Sequence, residues 1–77
     1  MDNEMDIRNL IKMANQIGDF FESYADQMEA SAEISCHLKK FWAPRMRECL
    51  LAHVDGADGE GLKEVVLRSV RAHRKEL

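Results

Sequence analysis

HLKKFWAPRMR, residues 37–47, is the stretch from which the fold can be read. It holds the chain's only tryptophan and only proline, and four of its eleven lysines and arginines. Proline is tolerated in the first turn of a helix and excluded from its interior, because its φ is locked and it has no N–H to donate. It also pushes the preceding residue, here Ala43, towards extended geometry. One helix must therefore end at Phe41 and Trp42, and another must open at Pro44. The aromatic pair sits at a helix–helix corner with Lys39, Lys40, Arg45 and Arg47 around it. Two roles suit such a corner. A small helical protein needs a large apolar plug there, which Phe41 and Trp42 supply. Tryptophan and arginine are also the types most enriched at interface hot spots, so the corner is composed for gripping a partner.

Upstream, Ala30, Ile34, Leu38, Phe41 and Trp42 mark the inner face of a second helix from about Gln27 to Phe41, with His37 at its edge. Asp26, followed three residues later by Glu29, reads as its N-cap and capping-box partner after a turn at Ala25 to Gln27. Before that turn, Ile7, Leu10, Ile11, Ala14, Ile17, Gly18 and Phe21 form one apolar stripe of a first helix from about Asp6 to Tyr24. Met13, Phe20 and Tyr24 widen the stripe to about half the circumference. A helix so broadly apolar is either central or shows part of itself to a partner. Gly18, within the stripe, is read as permitting close helix packing.

Downstream of the corner, Met46, Cys49, Leu50, His53 and Val54 face inwards on a third helix reaching about His53 or Val54. DGADGEG, Asp55 to Gly61, carries three of the four glycines and is the clearest loop. Leu62, Val65, Val66, Ser69, Val70 and His73 then share one face of a fourth helix, from about Leu62 to Arg74. No β-alternation of useful length interrupts this pattern. The expected class is all-α: a compact bundle of about four helices, a single domain over residues 1–77.

At 77 residues the chain buries only about 60–65% of its unfolded surface, so a partner or self-association would add usefully to its stability. Its apolar runs are too short to cross a bilayer, and the N-terminal MDNEMDIR is acidic where a signal peptide is basic; a cytoplasmic location is expected. Cys36 and Cys49, without CxxC spacing, suit free thiols in a reducing compartment. The net charge of −3 conceals an asymmetry. Residues 1–33 carry eight acidic and two basic side chains, residues 34–77 six acidic and nine basic. Such polarity fits oriented protein–protein association. A small helical DNA-binding regulator is the alternative, disfavoured by the acidic total and by a corner built on proline.

Chemistry finds little to use. Cys49 and His53 share a helix face, but with Cys36 and His37 they match no zinc-ligand pattern. Asp55, Asp58 and Glu60 lack the spacing of a calcium loop, and DGADGEG lacks a P-loop lysine–threonine pair. No serine or cysteine stands in a recognisable nucleophile setting. Neither a metal nor a catalytic site is expected in this chain.

The sequence resembles the delta subunit of NAD-dependent, molybdenum-containing formate dehydrogenases. The resemblance rests on LIKMANQIGDFF (residues 10–21), HLKKFWAPRMR (37–47) and LLAHVDGADGEGL (50–62). The residue between Trp and Pro is often acidic in that family and is Ala43 here, so a carboxylate that would cap the third helix is missing. What the resemblance implies is an accessory, non-catalytic subunit that associates with a catalytic assembly and supports its stability or the maturation of its molybdenum cofactor. The large subunits would carry the bis-molybdopterin guanine dinucleotide, iron–sulfur clusters and FMN, and this chain none of them. No nucleic-acid or membrane partner is implied. The residues expected to bind the partner are His37, Lys40, Phe41, Trp42, Pro44, Arg45, Met46 and Arg47, with Trp42 a partly exposed anchor. Met13, Phe20 and Tyr24 form a secondary candidate surface, and the isolated chain is a candidate homo-oligomer. The first expected outcome is that elemental analysis of the purified chain finds no stoichiometric metal; about one zinc per chain, lost on Cys49→Ala with His53→Ala, would refute the reading.

Overall fold

The computed structural model describes residues 6–24 and 26–77. Four helices run Ile7–Phe21 (α1), Gln27–Phe41 (α2), Pro44–Ala57 (α3) and Glu64–Ala72 (α4), and a short 3-10 turn, Arg74–Glu76, follows. No strand occurs among the described residues, and the class is all-α. Ala25 of the expected turn, and the first five residues of the acidic N-terminus, lie outside the described residues.

Two helix starts have local causes. The Asp6 carboxylate accepts the Arg8 N–H at 3.0 Å, and Asp26 accepts those of Met28 at 2.9 Å and Glu29 at 3.4 Å. Each satisfies amides that a first helical turn leaves without partners. The Arg8 side chain, hydrogen-bonded to Asp6, also holds that carboxyl below its ordinary range.

The second half departs from expectation at three helix ends. α3 does not stop at His53 or Val54 but runs through Asp55 and Gly56 to Ala57. A helical glycine costs only about 1 kcal/mol against alanine, which Gly56 by itself cannot turn into a stop. Termination comes instead at Asp58, which is left-handed at φ 57°, followed by Gly59 at φ 70°. The Gly59 N–H returns to the His53 carbonyl at 3.3 Å, and a Cβ there would meet Leu67. α4 in turn starts at Glu64, not Leu62, and ends at Ala72, not Arg74. The cause of the late start lies on α1: the Asn15 side chain donates to the Gly61 carbonyl and accepts from the Lys63 N–H, both at 2.9 Å. Residues 61–63 are thereby held outside the helix.

The core draws on every helix. Leu10 and Ala14 of α1, Ala30, Ile34 and Leu38 of α2, Leu50 and Val54 of α3, and Val65, Val66 and Val70 of α4 are buried together with Trp42. α2 and α4 pack most extensively, and the buried Ser69 hydroxyl donates to the Ser31 carbonyl between them. α1 meets α4 at Gly18, where a Cβ would lie 2.6 Å from Val66 Cγ2 and 3.3 Å from Val65 Cγ1. The glycine is thus a contact point, as its place in the stripe suggests. Lys63 closes the same side by pairing with Asp19 at 3.0 Å and Glu22 at 3.3 Å, and these bonds, Asp19's first, raise its pKa above the ordinary lysine value.

Gly18→Ala is therefore expected to lower stability in urea unfolding, although alanine improves helix propensity by about 1 kcal/mol. In a Val66→Ala background, where the clash is relieved, the same change should become neutral or stabilising.

Candidate functional site

The corner forms as the proline requires. Trp42 and Ala43 are extended (ψ 138° and 151°), and Pro44 occupies the first turn of α3. Ala43 offers no side-chain cap, so the first amides of α3 have no carboxylate or hydroxyl from that position.

The two aromatics do not share a role. Trp42 lies four residues after Leu38 and turns into the core with only 6% of its surface exposed. It is the plug. It is not the partly exposed anchor expected from the sequence. Phe41, expected on the inner face, is 70% exposed. It follows His37 by four residues, on a stripe at the margin of α2, and its ring stacks at a tilt on the His37 ring at 4.7 Å. His37 meets Phe21 of α1 at 6.4 Å, and Phe21 meets Phe20 edge-on at 4.9 Å. Phe20 is also 70% exposed. Four rings thus bridge α1 and α2, with the outer two open to solvent.

Between them lies an open apolar groove of about 640 Å³. Its α1 wall is Met13, Gln16, Ile17, Phe20 and Phe21; its other wall is His37, Phe41, Trp42 and Met46. His37, Phe41, Trp42 and Met46 of the corner set and Met13 and Phe20 of the α1 set, which the sequence suggested separately, therefore line a single surface. Gln16, three residues after Met13 and four before Phe20, belongs to it as well; that spacing was a signal sequence reasoning passed over. Tyr24 does not line the groove and packs at 5.4 Å on Phe21.

The basic residues separate too. The Arg47 guanidinium donates to the Lys39 carbonyl at 2.7 Å, across the corner, and satisfies an acceptor at the end of α2. It is a half-buried staple and not a second free contact beside Arg45. Lys40 and Arg45 are exposed, next in sequence to the lining Phe41 and Met46, and Pro44 is exposed before Arg45. Lys39, Lys40 and Arg45 enter no ion pair among the described residues.

Cys36 is exposed on α2 and Cys49 half-buried on α3, and no group of three metal-ligating side chains comes together among the described residues. No helix is long and apolar enough to cross a membrane.

Residues 9–70 match the model of the NADH-dependent formate dehydrogenase delta subunit family, FdsD. No curated protein matches the chain, and no solved structure does.

The two arginines should respond differently to truncation. Arg45→Ala is expected to change stability by no more than ~0.5 kcal/mol, whereas Arg47→Ala should cost about 1–2 kcal/mol through the lost α2 carbonyl bond and its packing. Urea unfolding of the two single variants checks this; equal effects would remove the staple.

Proposed function

The chain belongs to the family of NADH-dependent formate dehydrogenase delta subunits, and from that membership we propose a non-catalytic accessory subunit that docks on the larger subunits through the groove between Phe20 and Phe41. Its service to the assembly is stability or maturation of the molybdenum cofactor, in the cytoplasm. The molybdenum cofactor, iron–sulfur clusters and FMN reside in the partners, and this chain carries none.

The observation that supports docking is the pair of exposed phenylalanines at the two lips of an apolar groove. Leaving such rings in water forgoes about 1.5–3 kcal/mol each that burial would return. A monomeric surface seldom joins two of them without a partner in view. His37, Trp42, Met46 and Met13 then act as the floor and walls, and Lys40, Pro44 and Arg45 as the border. In isolation the same rings favour weak, concentration-dependent self-association.

Phe20→Ser and Phe41→Ser test the assignment, because neither ring supports the core and both variants should keep parental helix content. Each is expected to weaken co-purification with the larger subunits by about tenfold or more, the loss of a covered phenylalanine. Parental recovery of the doubly substituted chain would move the docking surface elsewhere.

A further inference from the structure

Taking the groove as the docking surface, we infer that its occupant is an acidic amphipathic helix of a larger subunit. Its apolar residues, at three- and four-residue spacing, would fill the space between Phe20 and Phe41, with Asp or Glu beside Lys40 and Arg45.

The helical form follows from the lining. Apart from the two extended residues Trp42 and Ala43, the backbone around the groove belongs to helices, whose interior N–H and C=O groups bond internally. Two residues offer no strand edge long enough for an extended peptide to join. The groove's side chains are apolar apart from Gln16 and His37. An occupant must therefore satisfy its own backbone, which a helix does and an extended segment does not.

The charge follows from the rim. Residues 37–47 carry four positive side chains and no carboxylate. Arg47 is committed to the Lys39 carbonyl. Lys39 itself lies two residues from both His37 and Phe41, about 200° round α2 and off the groove. Lys40 and Arg45 remain beside the groove, exposed and without ion pairs among the described residues. The N-terminus of α3, with no side-chain cap at Ala43, adds partial positive charge at the same corner. On α1, Asp19 and Glu22 are turned towards Lys63 on the side facing α4, which offsets one of their two charges there. A second copy of this chain is the poorer occupant: its own corner would bring more cations to the contact and no carboxylate from residues 37–47 to meet them.

Co-purified complex treated with a carbodiimide, which joins amines to carboxylates in contact, should yield peptides linking Lys40 to Asp or Glu of a larger subunit. The linked stretch should show apolar residues at helical spacing. Lys40→Glu with Arg45→Glu should weaken the assembly at low salt by on the order of tenfold, and salt should weaken the parental complex. A double variant recovered as well as the parent, or links from Lys40 only to a second copy, overturns the acidic helix. The groove itself would then still stand if the Phe20 and Phe41 variants fail to assemble. Indifference of the phenylalanine variants removes both.

Discussion

Pro44 cannot continue a helix and keeps Ala43 extended, so α2 must release the chain after Phe41, and the indole of Trp42 is the first side chain off its end. Four residues after the buried Leu38, that indole enters the core, where α3 can fold back over it. The direction of α3 and the site of Phe41 both depend on this one constraint. With the indole filling the interior, the neighbouring phenyl ring has only the margin of α2 left, above His37 and beside α1. The exposed aromatic is thus a by-product of the buried one. Arg47 secures the arrangement by reaching back to the Lys39 carbonyl.

α1 serves three surfaces at once, which accounts for its unusual apolar breadth. Leu10, Ala14 and Gly18 face the core, and the absence of a side chain at Gly18 lets Val66 approach. Met13, Ile17 and Phe20 face the groove. Asp19 and Glu22 hold Lys63, and Asn15 holds the backbone of residues 61–63. Displacing α1 would therefore disturb both the start of α4 and one wall of the groove. In a chain of this size, core and binding surface cannot be allotted to separate elements.

Charge is distributed along the same division. The ion pairs of α1 and the Asp55–Arg74 pair tie elements together away from the groove, while the corner keeps its cations exposed. Exposed pairs contribute little to stability, so their arrangement matters more for which surface a charged partner meets.

The sequence by itself determined the four helices, the cap at Asp26, the break at Pro44 and the family, because each is written in local signals: periodicity, a capping carboxylate, a locked φ, a run of motif residues. It also marked Gly18 as a packing position, since a glycine inside an apolar stripe has few other uses. Tertiary structure decided what depends on residues far apart. Trp42 and Phe41 are adjacent and both apolar, and only the packing of α1 and α3 against α2 makes one the plug and the other a lip. Asn15 sits 48 positions from Lys63, so no local pattern could show that it delays α4. Arg45 and Arg47 are chemically identical, and only the nearness of the Lys39 carbonyl takes one out of play. The groove is the same case: its two walls were visible as separate stripes, and their union required α1 and the corner to meet in space.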